Sequence, residues 1–177
     1  MGRWVRSSAG VISPNLSNSR DVLVHLQILF GKKRKPMNNN GSKTCLVSGG
    51  AGFIGCALSG LLAERFDDVV VLDNLHPQIH ARQERPEALD KRVRFIKGDV
   101  TSSESWDEVL SDTAPDTVIH LAAETGTGQS LTEANRHGLV NVVGTTQMLD
   151  AFSRHERLPK RIVLTSSRAV YGEGLWR

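Results

Sequence analysis

The sequence predicts an α/β fold in three α-β-α layers, built around a parallel sheet of about five strands. Short apolar segments alternate with segments of helical periodicity from residue 43 onward. A glycine-rich turn joins the first of these strands to the first helix. The strands are almost continuously apolar, which is typical of parallel strands covered on both faces.

The elements alternate regularly along the chain. Strands are predicted near residues 44–48, 69–73, 93–97, 117–121 and 161–165, and helices near 53–65, 103–111 and 132–154. A Ser/Thr cluster precedes the second helix and is expected to cap it. A loop from Asn74 to about Asp90 separates the second strand from the third.

The most informative segment is Ser48–Gly55, which links the first strand to the first helix. In this context the pattern Gly50-x-Gly52-x-x-Gly55 predicts a site for the diphosphate of a dinucleotide. We expect Gly50 to permit the turn, Gly52 to let the backbone approach the phosphates, and Gly55 to allow close packing of helix and sheet. The helix N-terminus would offer N–H groups to the phosphates. The alternative is a glycine turn that only tightens the strand–helix joint.

An acidic residue, Asp73, ends the second strand. A carboxylate at this position can accept hydrogen bonds from the hydroxyls of an adenosine ribose, and it would repel the additional phosphate of NADP. The next residues, from Asn74 to Pro77, include no arginine. NAD is therefore the predicted cofactor, and the predicted fold is a Rossmann fold.

Further candidates lie where the other strands end, because ligands of such sheets bind beyond the carboxyl ends of the strands, where strand order reverses. The candidate cofactor-binding residues are Gly49, Gly52, Phe53, Ile54, Gly55, Asp73, Asn74, Asp99, Val100, Leu121, Ala122, Ala123, Thr165 and Ser166.

Some of the polar candidates could instead have a purely structural role. Asp99 is suited to a turn or a helix N-cap, and Ser166 to capping a strand end. His120 ends a buried strand and is expected to be a structural histidine. Asn141 is unfavourable inside a helix, so we expect it to make a polar contact near the site.

The charge distribution divides the chain. Residues 1–36 hold seven of the 22 Lys and Arg residues and one of the 19 Asp and Glu residues. The remainder is mildly acidic, so nucleic acid is not expected as a partner. We predict a basic, disordered extension over residues 1–42 and an NAD-binding domain over 43–177. Three interpretations of the extension remain. It is a segment translated upstream of the working start at Met37, a weakly structured tail with a short helix at 22–30 if that segment folds, or a targeting peptide.

The two cysteines, Cys45 and Cys56, lie in a predicted strand and a predicted helix. Both are expected to be buried and reduced, which favours a cytoplasmic location. Neither has a metal-ligand spacing with another Cys or a His, so no metal site is predicted. The longest apolar run, residues 22–30, is shorter than the ~20 residues that cross a bilayer, so no membrane association is expected.

Residues 44–174 resemble the extended short-chain dehydrogenase/reductases, specifically the NAD-dependent epimerase/dehydratase family. Ser48–Gly55 is similar to the glycine motif of that family, with Ser in place of the commoner Thr. Four further segments are similar to the family's adenine-contact, fourth-strand, mid-helix and fifth-strand motifs, respectively Gly98–Val100, His120–Ala123, Asn141–Thr145 and Ser166–Gly172.

The resemblance implies a hydride transfer between NAD and a sugar carbon, through a keto sugar, catalysed by a Ser or Thr and a Tyr–Lys pair in the spacing YxxxK. Ser167 matches the catalytic serine. Tyr171 matches a structural tyrosine, since Leu175 stands where the lysine would be. We therefore expect the Tyr–Lys pair and the C-terminal substrate lobe to be missing, and the isolated 177-residue chain to be inactive.

The loops at 73–80 and 123–130 are most similar to those of dTDP-L-rhamnose 4-epimerase-type members. This similarity implies a 4-epimerase acting on a dTDP- or UDP-sugar, with Glu124 and Thr125 as substrate contacts. The family's usual dimer helices would include residues 132–154, which implies a possible homodimer. The alternative function is that of a non-catalytic, regulatory NAD-binding protein.

Overall fold

The computed structural model describes residues 4–6, 12–14, 43–126 and 128–167. The chain divides into two units, Met1–Gly41 and Ser42–Arg177. In the first unit, strands β1 (Trp4–Arg6) and β2 (Ile12–Pro14) pair antiparallel. This short ladder lies within the extension predicted over residues 1–42, and β-branched Val5 and Ile12 favour the extended conformation. The possible helix at 22–30 lies outside the described residues.

The second unit is built on a parallel sheet of five strands in the order β5-β4-β3-β6-β7. The strands are β3 (Thr44–Ser48), β4 (Asp68–Asp73), β5 (Arg94–Lys97), β6 (Thr117–His120) and β7 (Arg161–Leu164). Within this unit the first strand, β3, lies at the centre of the sheet. Strands β4 and β5 follow on one side of β3, and β6 and β7 follow on the other side. Strand order therefore reverses between β3 and β6, where Ser48 pairs with His120. The predicted fold is confirmed, and the strand limits differ from the prediction by one residue at most.

The helices are α1 (Phe53–Arg65), α2 (Ser103–Asp112), α3 (Gln129–Thr132), α4 (Ala134–Gly138) and α5 (Gly144–Arg154), with a π-helical turn at Leu139–Val143. The Ser/Thr cluster caps α2 as predicted, since the side chain of Ser102 accepts a hydrogen bond from the N–H of Ser105.

The helix predicted over 132–154 is present from Ala134 to Arg154, but a π-helical turn at Leu139–Val143 interrupts its α-helical hydrogen bonding. The chain leaves helical geometry at Glu133, whose φ and ψ are −124° and 34°. In the π-helical turn, the N–H of Gly144 donates to the carbonyl of Leu139, five residues earlier. The wider turn coincides with tertiary contacts: Asn141 bonds to the loop after β6, and Gly144 packs against Val100. The apolar periodicity thus predicts the helix but not the π-helical turn within it.

Helices α2 and α5 cover one face of the sheet. The core cluster contains Leu46, Val70, Leu72, Val118, Trp106, Val109, Leu110, Met148, Ala151 and Phe152. The rings of Trp106 and Phe152 meet edge to face with centroids 6.2 Å apart. Helix α1 contacts β4. Each fully buried side chain of this kind contributes roughly 1.5–3 kcal/mol, which holds the carboxyl ends of the strands in fixed positions.

Candidate functional site

A cleft of about 350 Å³ lies at the carboxyl ends of the strands, where the strand order reverses. Most of the candidate site residues line it, namely Gly49, Gly52, Phe53, Ile54, Asp73, Asn74, Asp99, Val100, Leu121, Ala122, Ala123, Glu124 and Thr125. The loops after β3, β4, β5 and β6 all contribute. The structure thus brings these residues together in the place that the topology predicts.

A second concavity, of about 420 Å³, is formed by the loop at residues 79–87. Its described lining residues all belong to that single loop. Because ligand sites of such sheets lie at strand ends, the first cleft is the candidate site.

Gly50 and Gly55 have structural roles that differ from those predicted from the sequence, and it is Gly49 that makes the turn. Gly49 makes the turn off β3, with φ of +70°, and a side chain there would collide with the backbone of Ala122. Gly50 packs against Val71, whose Cγ2 would lie 2.8 Å from an added Cβ. Gly55 packs on the backbone of Gly50, so it seats α1 on the turn rather than on the sheet.

The remaining glycine, Gly52, is not required by packing. An added Cβ would lie 3.5 Å from the carbonyl oxygen of Gly49, an ordinary contact. Gly52 precedes α1, which has no side-chain cap and no acidic residue in its first turn. Phe53 and Ile54 remain 68% and 43% exposed beside the cleft. This uncapped, partly positive helix end and the open backbone at Gly52 fit the diphosphate of a dinucleotide.

The carboxylate of Asp73 is 8% exposed and held at two points. Its Oδ2 accepts a hydrogen bond from the N–H of Ala51 at 3.0 Å, and its Oδ1 accepts one from the N–H of Leu75 at 2.8 Å. An ionised carboxylate has about four acceptor positions, so Asp73 retains capacity for a ligand in the cleft. Leu75 is buried with φ of 55°, a left-handed conformation that reverses the chain after β4.

Asp99 and Asn74 form a joined pair on the wall of the cleft. The Nδ2 of Asn74 donates to Asp99 Oδ2 at 3.0 Å, and the N–H and hydroxyl of Thr101 donate to Asp99 Oδ1. Burial raises the pKa of Asp99, but these hydrogen bonds outweigh it and lower the pKa below its ordinary value. Asp99 is therefore ionised at neutral pH and shapes the turn, whereas Ser102 caps α2.

His120 lies beneath the cleft and is 3% exposed. Its Nδ1 is 2.5 Å from the hydroxyl of Ser48 and its Nε2 is 3.2 Å from the hydroxyl of Thr145. The Thr145 hydroxyl donates to the Asn141 carbonyl, so all these groups are satisfied when Nε2 carries the imidazole proton and Ser48 donates to Nδ1. Burial lowers the pKa of His120 and favours this neutral form. The expected structural role of His120 is in agreement with this network.

Asn141 makes the polar contact expected of it. Its side-chain amide bonds both the N–H and the carbonyl of Glu124. The Glu124 carboxylate forms an ion pair with Arg136 at 3.1 Å, and Arg136 also donates to Gln78 at 3.0 Å. The loop after β6 is thereby fixed to the helices that follow it and joined to the loop after β4.

Four predicted site residues lie outside the lining of the cleft. Gly55 packs beneath it, as described above. Thr165 follows β7 and donates twice, from its N–H and its hydroxyl, to the carbonyl of His120. Ser166 and Ser167 are exposed just beyond it. Tyr171 lies outside the described residues.

The cleft is also lined by five residues that were not predicted as site residues: His76, Gln78, Ile79, His80 and Val140. The signal for the first four was their position directly after Asp73, with two histidines four residues apart.

No group of three or more His, Cys, Asp or Glu side chains in the described part of the chain is arranged to hold a metal ion. Every helix described here is too short or too polar to cross a bilayer.

The sequence profile of the NAD dependent epimerase/dehydratase family matches residues 45–175. The chain belongs to this family. The recognition of the epimerase/dehydratase family from the motifs is therefore confirmed, and so is NAD as the cofactor on which that family depends.

Relatives within the epimerase/dehydratase family agree in sequence and fold. The chain is 61% identical over 135 residues to the dTDP-L-rhamnose 4-epimerase of Burkholderia thailandensis, and the match covers 76% of this chain and 37% of that protein. The UDP-glucose 4-epimerase of Brucella ovis in complex with NAD is 32% identical with a TM-score of 0.63, covering 74% of this chain and 38% of that one. The enzyme of Thermotoga maritima with UDP-glucose has a TM-score of 0.65 at 28% identity, covering 76% and 41%. The chain thus spans under half the length of these relatives.

Proposed function

We propose that this chain is the NAD-binding portion of a nucleotide-sugar 4-epimerase. One observation supports this above the others: a single cleft at the reversal of strand order collects the glycine turn, Asp73 and Asp99. The sequence identity to a dTDP-L-rhamnose 4-epimerase favours a dTDP-sugar as the substrate. The free cysteines support the prediction of a cytoplasmic location.

In this proposal each wall of the cleft holds one part of the cofactor. The diphosphate lies on Gly52 and the N-terminus of α1, where the helix offers N–H groups. The Asp73 carboxylate accepts hydrogen bonds from the adenosine ribose, and Asp99 and Val100 flank the adenine. Residues Leu121–Ala123 lie along the rest of the cofactor, toward its nicotinamide end. When bound, NAD would accept hydride from the sugar carbon, and its reduced form would return the hydride.

The substrate would lie at the end of the cleft formed by the loop after β6. Glu124 and Thr125 line that end, and we propose them as substrate contacts. Glu124 is fixed there by Asn141 and Arg136, which would hold a sugar-binding loop in one position. Ser167 is proposed to hydrogen-bond the reacting sugar oxygen.

Calorimetric titration of NAD and NADP tests the proposal. We expect wild type to bind NAD more tightly than NADP, because Asp73 repels a 2′-phosphate. The Asp73→Asn variant, which keeps one carbonyl acceptor, should bind NAD more weakly and discriminate less between the two. Asp67→Asn is a control, since that carboxylate bonds to the N–H of Lys43 and does not line the cleft. A folded wild type that does not bind NAD at millimolar concentration would refute the proposal.

We further propose that a second copy of the chain packs on the apolar face of the π-helical turn and α5. Val142 is 62% exposed, and Leu139, Val143 and Leu149 are between 38% and 48% exposed. Their spacing places them along one side of the helical segment. Sedimentation velocity should show a dimer for wild type and a monomer for Val142→Glu, with Glu108→Gln as a control on α2. A monomeric wild type would exclude the dimer.

A further inference from the structure

His80 faces Asp73 across the wall of the cleft. The Nε2 of His80 is 3.9 Å from the Oδ1 of Asp73, and the two side chains are only 11% and 10% exposed. This distance is too long for a direct hydrogen bond. It is short enough for one oxygen atom to lie about 2.8 Å from both groups.

The backbone fixes both partners independently of each other. Asp73 is held by the N–H groups of Ala51 and Leu75. His80 ends a turn in which its own N–H donates to the carbonyl of His76 at 3.0 Å. The Asp73 carboxylate and the backbone that carries His80 are therefore held by contacts within the protein.

We propose that His80 is the second partner of the adenosine ribose hydroxyl that binds Asp73, an inference that rests on the proposed function. A hydroxyl donates one hydrogen bond and accepts others, whereas an ionised carboxylate only accepts. The hydroxyl donates to Asp73 Oδ1 and accepts from an N–H at His80 Nε2.

The test compares two variants of the full chain with three ligands. His80→Phe retains a planar ring without a donor, and His80→Gln retains an N–H near the position of Nε2. The ligands are NAD and its analogues with 2′-deoxyadenosine or 3′-deoxyadenosine. We expect His80→Phe to weaken NAD binding about 3- to 10-fold, as the loss of one hydrogen bond does. His80→Gln should remain within about twofold of wild type.

The analogues distinguish ligand contact from a structural effect. For the analogue that lacks the shared hydroxyl, wild type and His80→Phe should bind equally, because the interaction is already absent. An equal loss for all three ligands, or no loss for NAD, would overturn the inference. If His80→Phe does not fold by circular dichroism, His80→Ala takes its place. Because wild type serves as reference, failure of wild type to bind NAD counts against the proposed function instead.

Discussion

The side-chain amide of Asn141 holds the main chain of Glu124 at two points. Asn141 Oδ1 accepts from the N–H of Glu124 at 2.8 Å, and Nδ2 donates to the Glu124 carbonyl at 3.1 Å. The amide thus substitutes for a neighbouring backbone strand. Since Thr145 binds the carbonyl of Asn141 and also contacts His120, the loop after β6 is joined to the end of its own strand through the helix.

Asn141→Ala should release this loop. The variant removes two hydrogen bonds, each worth about 0.5–1.5 kcal/mol, so the Glu124 amide proton should exchange roughly tenfold faster or more. Hydrogen exchange monitored by NMR measures this rate. Asn135→Ala is the matched control, because Asn135 is exposed on the same helical segment. An unchanged exchange rate at Glu124 would show that the two hydrogen bonds from Asn141 do not stabilise the loop.

The placement of the site could be predicted from the sequence because strand topology determines it. The carboxyl ends of parallel strands meet at one edge, so Asp73, Asp99 and Leu121 converge whatever the details of their loops. The π-helical turn could not be predicted in this way. It coincides with the contact between Asn141 and Glu124, residues 17 positions apart, and the apolar periodicity of the segment does not reveal it.

The titration of His120 should make the chain less stable in mild acid. Burial lowers the pKa of His120 in the folded state below its ordinary value of 6.5. Below that ordinary value the unfolded chain binds a proton that the folded chain does not, so the free energy of unfolding falls as pH drops through 6.5 toward the folded pKa. Above this window the contribution is fully present.

Urea unfolding at pH 8 and pH 5.5 measures the effect. His120→Asn is less stable at both pH values, but its stability should fall less between them than that of wild type. The two proteins differ only at residue 120, so the difference between their pH dependences isolates that residue. Equal pH dependence in the two proteins would contradict the role assigned to His120.

Trp106 connects the core to the cleft. Its Nε1–H donates to the carbonyl of Val100 at 2.8 Å, and the ring is fully buried. Trp106→Phe leaves this buried carbonyl without a donor, which costs about 1–3 kcal/mol, and it should also weaken NAD binding because Val100 lines the cleft. Urea unfolding measures the loss of stability, and titration with NAD measures the loss of affinity.

Phe152→Leu is the control for Trp106→Phe. It disturbs the same core by removing the edge-to-face contact but keeps the hydrogen bond to Val100. It should lower stability and leave NAD affinity within about twofold of wild type. If both variants weaken NAD binding equally, general loosening of the core is responsible rather than Val100.

The sequence could not predict which glycine makes the turn, because this too depends on a residue that is distant in the chain. The motif predicts a turn that approaches phosphate, but Gly49 rather than Gly50 adopts the positive φ because the backbone of Ala122 lies against it. That neighbour lies in the loop after β6, more than 60 residues later in the chain. In contrast, the role of Gly52 follows from the motif alone, and the structure makes it testable.

Gly52→Ala should separate ligand binding from folding. An added Cβ meets only an ordinary contact with the Gly49 carbonyl, and Ala in place of Gly at an N-cap costs less than about 1 kcal/mol. The same methyl group enters the space where the diphosphate approaches the backbone, so NAD affinity should fall more than about tenfold. Gly138→Ala, which meets no atom within 4 Å, should leave affinity unchanged, and Gly55→Ala should destabilise the fold by collision with Gly50. Thermal melting and NAD titration of the three variants give the pattern, and a Gly52→Ala variant with wild-type affinity would exclude the diphosphate from this position.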